Sequence, residues 1–246
     1  AAQQGQTATQ DSAERERIAS EINTIYDKTK TDVKTVLEKL DESVSTMFSK
    51  AAEKAKTKFE AHVKKRMDAY KSRRYSGLRG AARWVRDKFM GIPEEVNQFF
   101  TEGRQKYIDE MDVALTAISQ HVAEKLTEAK NRIAKGKQEV NDYVTALPEA
   151  LQGIGREAAE NIQGRFDELE NSVESKQDEL IDSLAQQYTE SLQEVDARIE
   201  EMKAANRGLV DRALDAVKGV IETIIQIKNT LTNMLASAIS VIRTII

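Results

Sequence analysis

The sequence predicts an all-α protein: elongated antiparallel hairpins of long helices, bundled along seams that repeat every eleven residues. Composition is the first observation behind this. Two Pro and eleven Gly occur in 246 residues, aromatics make up 5%, and Ala, Glu, Lys, Leu, Gln and Arg dominate. That is the profile of long helices rather than of a sheet, and so few aromatics suit thin helix–helix seams better than a large core. The second observation is a period, and the third is where the period is interrupted.

Apolar residues recur at steps of eleven. Tyr26 is followed by Leu37, Phe48, Phe59 and Tyr70, and Ile22 by Val33, Val44 and Ala55. Val96 leads to Tyr107, Ile118, Ala129 and Val140; Phe89 leads to Phe100, Met111, Val122, Ile133 and Val144. A last ladder runs Leu151, Ile162, Val173, Leu184, Val195. Eleven residues make three turns at about 3.67 per turn, so such a stripe stays nearly straight along a helix. Charged and amide side chains fill the gaps between rungs, which leaves one stripe for burial and the rest for water.

The elements follow from the punctuation. Residues 1–12, beginning "AAQQGQTATQ", lack the charged and apolar regions of a signal peptide and read as a flexible leader. Asp11 with Glu14 has capping-box spacing and is expected to start helix one. That helix runs to about Tyr75, where "YSGLRG" supplies Gly77 and Gly80 as a weak point, so residues 13–90 form helix one and a basic elbow. "MGIPEE" ends it: Gly91 suits a helix terminus, Pro93 a first turn, and Glu94 and Glu95 the positive pole of the next helix. Helix two is expected to reach about Ala146. "ALPEAL" then repeats the device with Pro148 and Glu149, and helix three reaches about Ala205, so residues 91–207 form a hairpin. At about 55 residues, each arm would be about 80 Å long. Short connections favour antiparallel neighbours; the alternative is a straight rod whose seams are closed by other chains. Gly208 marks the last break, before an apolar C-terminal helix over 208–246.

This last helix carries apolar residues on more than one stripe, from Leu209 to Ile246, and is expected to bury a broad face. It falls short of a membrane span, because Lys228 and Arg243 bound a stretch broken by Asn229, Thr230, Thr232, Asn233, Ser237 and Ser240. It reads as a central strut, or as the start of an apolar region of a longer chain.

Charge is divided along the sequence. The net is −4, too small to imply a partner. Yet residues 64–88 hold ten Lys or Arg and two Asp, while residues 156–202 hold fourteen acidic and four basic residues. Arg79, Arg83 and Arg86 recur at helical spacing beside Leu78, Ala82, Val85 and Phe89, with Trp84 among them. Arg73, Arg74, Arg79, Arg83, Trp84, Arg86 and Phe89 are the candidate docking residues, suited to an anionic membrane surface or an acidic partner. Nucleic acid is the weaker fit. The bland expectation is internal: the elbow arginines would face Glu190, Glu194, Glu200 and Glu201 of helix three.

Catalysis is not expected. The chain has two His and no Cys, too few nitrogen and sulfur ligands for a usual zinc site. His121 and Glu124 in "HVAE" share a helix face, but no second imidazole stands at ligand spacing, and His62 falls on a ladder after Leu40 and Ala51; both are expected to flank seams. "GIG" at 153–155 lacks the rest of a phosphate loop, and no serine lies in a nucleophile elbow. No catalytic residue, metal or cofactor is assigned.

"ALPEALQGIGREAAENIQGRFDELENSVESKQDELIDSLAQQY" followed by "NRGLVDRALDAVKGVIETI" resembles the long helical middle region of very large modular bacterial proteins, over residues 91–246. Those proteins commonly begin with a metallopeptidase-like domain and are associated with toxin modules and phage-tail-like contractile injection systems. No metallopeptidase signature stands in this sequence, so that activity does not carry over. The resemblance implies a non-catalytic scaffold, spacer or delivery segment of a secreted effector, delivered by such a system, with flanking domains of the same longer chain as partners. Two other readings stay open: a membrane-acting protein that docks by the elbow and inserts or forms pores by the C-terminal helix, and a coiled-coil adaptor that forms a homo-oligomer.

Overall fold

The computed structural model describes residues 2–77, 79, 80, 83, 86, 87, 93–206 and 220–245. Among them the protein is an all-α helical bundle with no strand. Its helices are α1 (Ala2–Arg74), α2 (Glu94–Ala146), α3 (Glu149–Asn206) and α4 (Val220–Ile245). Helix α1 therefore begins at Ala2 rather than after a leader ending at residue 12. The capping spacing at Asp11 and Glu14 does not start it, because nothing in the Gln- and Ala-rich residues before it forbids helix. Gly91, Gly208 and residues 209–219 of the expected last helix lie outside the described residues.

The other breaks sit where local chemistry puts them. Past Arg74, the Tyr75 N–H still bonds the Lys71 carbonyl at 3.0 Å, and then Gly77 turns the chain at φ +75°, a left-handed conformation cheap only for glycine. Pro93 precedes α2; its carbonyl accepts the N–H of Val96 at 2.9 Å and of Asn97 at 3.3 Å, while Glu94 and Glu95 occupy the positive first turn. Pro148 does the same before α3, accepting from Leu151 at 2.8 Å. The Gln152 amide reaches back to the Leu147 carbonyl at 3.1 Å, satisfying a group that the end of α2 leaves orphaned.

The chain divides into two compact units, and the division cuts across helices instead of falling at their ends: residues 1–43, 121–180 and 239–246 form one, and residues 44–120 and 181–238 the other.

In the first unit, α1 and α2 run antiparallel. Asp32 meets Arg132 at 3.5 Å, and Ser43 meets His121 at 2.7 Å. Helices α2 and α3 are antiparallel too, with Lys130 on Glu174 and Lys137 on Glu170. The α1–α3 pair is consequently parallel, through Arg15–Glu157, Asp27–Arg165 and Asp41–Lys176. Ile22, Val33, Val122, Ala129, Ile133, Ile162 and Val173 are buried between the three. Tyr26 packs edge-on against Phe166 with centroids 5.1 Å apart, and the Arg165 guanidinium lies 4.0 Å over the Tyr26 ring.

The second unit repeats this topology. His62 lies 3.2 Å from Glu102, Arg104 binds Asp196 at 2.6 Å, and Glu60 binds Arg198 at 2.8 Å. Phe59, Phe100, Tyr107, Met111, Ile118, Leu184 and Val195 fill the seam. Helix α4 adds a single buried stripe, Ile227, Leu231 and Leu235, with Lys228 on Asp182 at 2.7 Å. The broad apolar burial expected of this helix is narrower among its described side chains, because Ile225 and Val241 face outward.

Of the ladder positions, Leu37, Ala51, His62 and Leu151 are half-buried, Phe89 lies outside the described residues, and every other rung is buried.

Candidate docking surface at the basic elbow

The elbow belongs to the second unit and begins with aromatic packing at the end of α1. Tyr70 is buried, edge-on to Phe99 at 6.0 Å and to Tyr75 at 6.2 Å. The Arg74 guanidinium lies 5.6 Å over its ring and that of Arg73 lies 6.0 Å away. Arg66 sits 4.8 Å over Phe99 and also reaches Glu102 at 3.2 Å. Such contacts bury the stems of long cations while their charged ends stay hydrated.

Asp87 lies against this end of α1. One of its oxygens accepts from Arg74 Nε at 2.6 Å and from the Tyr75 hydroxyl at 3.1 Å, while Arg86 stands 3.6 Å from the other. Only 9% of the Asp87 side chain is exposed. The hydrogen bond from Arg74 holds the carboxyl below the usual carboxylate range. Burial, and next its bond to Asp87, pushes the Tyr75 hydroxyl up to about 12.

The candidate docking residues thus separate. Arg73 binds Glu95, Arg74 binds Asp87, and Arg86 stands beside Asp87. Arg79 and Arg83 are exposed and helical, with no ion pair among the described residues. Trp84 and Phe89 lie outside the described residues.

The expectation that the elbow arginines face the acidic stretch of α3 is corrected for the described residues. Glu194 is held by Lys56 and Glu201 by Arg198, Glu200 pairs with Lys203, and Glu190 accepts from Gln186. Lys56–Glu194 and Glu60–Arg198 share one register between parallel helices. That register carries Arg73 and Arg74 past the level of Asn206, beyond reach of those carboxylates. Asp87 went unremarked in the sequence. Its signal was there, since it is one of only two carboxylates among ten cations.

No family model, curated protein or solved structure matches this chain.

In the first unit, the cleft beside Ser43 and His121 measures about 360 Å³ and is lined by Asp32, Lys39, Lys125, Glu128 and Arg132. Ser43 Oγ donates to the Leu40 carbonyl at 2.9 Å, so the imidazole Nε2–H is left to donate to Ser43. A hydroxyl committed this way is not set to give its proton to the ring. Arg132 is shared by Asp32 and Glu128, and Lys125 also binds Glu128. This is a satisfied polar seam edge.

Asp87→Asn tests the lock. The amide accepts less strongly than a carboxylate and brings its own N–H donors to a site already facing donors. The expected loss is about 1 kcal/mol, discounted for the nearby solvent, with faster protease cleavage between Tyr75 and Asp87. Because the folded carboxyl titrates below its unfolded value, its contribution is complete above the ordinary Asp pKa of about 3.9 and disappears as the pH falls through the folded value. The variant's stability deficit is therefore expected to vanish in acid. A deficit unchanged by pH would contradict the charge-assisted contact.

Proposed function

We propose that this chain is a non-catalytic helical scaffold, a spacer or delivery segment of a secreted bacterial toxin or effector carried by a contractile injection system. One observation supports the structural role most: in each unit the apolar ladders are spent on closing three helices on one another, while the charged side chains along the seams are spent on one another. The second half of the reading, the delivery system, is supported by the resemblance of residues 91–246 to the helical middle of modular injected proteins. The mechanism would be mechanical. Seams of this kind are made of local contacts and can open rung by rung, and the absence of Cys leaves no disulfide to block threading.

Loading of a reporter tests the proposal. The chain is fused to a reporter enzyme and co-expressed with a contractile injection system, and purified particles are treated with protease. Reporter activity is expected to be protected with the fusion and digested with the reporter alone. Removing one matched block from each helix, residues 50–60, 105–115 and 188–198 together, takes out three turns per helix and is expected to leave protection intact. Digestion of the full-length fusion at the rate of the free reporter would sink the delivery role; loss of protection only on block removal would sink the spacer role.

A further inference from the structure

We infer that the basic elbow docks this protein on an anionic lipid surface, through Arg79 and Arg83 with Arg86 at their side. The inference is independent of the scaffold reading and stands on a count of which charges folding has used. Both carboxylates of residues 64–88 are occupied internally: Asp68 by Lys64 at 2.7 Å, and Asp87 by Arg74 and Tyr75. Arg66 is taken by Glu102 and Arg73 by Glu95. The acidic residues of α3 that could have answered the elbow are held by Lys56, Arg198 and Lys203 instead.

Lys65, Lys71, Arg79 and Arg83 remain, exposed and without an ion pair among the described residues, and the two arginines lie past the turn at Gly77. Arg83 follows Arg79 by four positions in the sequence and Arg86 follows by three more, the spacing of one helix face, and all three are exposed. The Asp87 lock ties its own position, next to Arg86, to the end of α1, which lowers the ordering cost of presenting the nearby cations. A cluster of cations left over in a chain of net charge −4 repels itself until an anionic surface meets it. Lipid is favoured over nucleic acid by the sequence, which interleaves the arginines with Leu78, Trp84, Val85 and Phe89, the amphipathic composition of an interfacial segment. Docking is peripheral and reversible, since no described helix is long and apolar enough to cross a membrane.

Flotation of the full chain with vesicles of phosphatidylcholine, with and without phosphatidylserine, tests this. The protein is expected to float with the anionic vesicles at low salt, and to stay at the bottom with neutral vesicles or at high salt. At the usual worth of a basic residue near an anionic leaflet, Arg79→Gln with Arg83→Gln weakens binding about 30-fold. Arg79→Lys with Arg83→Lys keeps it within a few-fold, which also guards against a folding artefact. Lys34→Gln with Lys135→Gln removes the same charge from two exposed sites elsewhere and leaves binding unchanged. No flotation of the unaltered chain overturns the proposal, and so does an equal loss in the Lys34/Lys135 variant. Displacement from vesicles by a low concentration of duplex nucleic acid overturns the lipid assignment.

Discussion

Phe59→Ala is expected to remove about 3–5 kcal/mol of folding stability, measured by urea or thermal unfolding. Phe59 is completely buried in the second unit, beside Val63 and across from Gly103. The cost goes beyond lost transfer free energy, because the space cannot be refilled. Gly103 has no side chain to move into it, and its helix is held at that level by Phe99, Phe100 and Tyr107, all buried. Phe59→Leu retains most of the volume and is expected to cost about 1.5 kcal/mol or less. Were the alanine variant to lose less than about 1 kcal/mol, the seam would not be packed as described.

Gly136→Val is expected to cost about 2–3 kcal/mol, as overpacking in a rigid place. A Cβ at residue 136 would stand 2.2 Å from Thr29 Oγ1 and 2.8 Å from its Cγ2. Thr29 cannot swing aside cheaply, since it is β-branched and buried and its hydroxyl bonds the Ile25 carbonyl at 2.9 Å. The clash must therefore push α1 and α2 apart in the first unit. Thr29→Ala is expected to recover at least about 1 kcal/mol of the loss in a double-mutant cycle. Gly164→Ala makes the control. Nothing lies within 4 Å of a Cβ there, so on an exposed helix face alanine is expected to gain about 0.5–1 kcal/mol. Equal effects at the two glycines would show that close helix approach at Gly136 is not what glycine serves.

These residues also mark how far the sequence could be read. Pro93, Pro148 and Gly77 were legible as breaks, because a missing N–H or a left-handed turn acts on the nearest four residues wherever the chain goes next. Burial of Ile118 or Val173 was legible because a helix face is set by spacing alone. At the other end of the scale, nothing in the residues around Gly136 signals a close helix approach; only Thr29, more than a hundred positions away, explains the glycine. The start of α1 was misplaced because a capping pattern signals a helix start only where the preceding residues resist helix, and here they do not. At the elbow, the sequence supplied the cluster of cations. It could not say that Asp87 would bind Arg74 and Tyr75, or which of the cations, Arg79 and Arg83 among them, would be left over.

By itself, then, the sequence determined that this protein is built of long amphipathic helices, where most of them end, and which face of each is apolar. Those are consequences of bonds and spacings within a few residues. Tertiary structure alone decided which carboxylate answers which arginine, where two helices approach closely enough to need glycine, and how the chain divides into two units across its helices. Such outcomes depend on the register between helices, which is set by the summed fit of many distant side chains and has no local code.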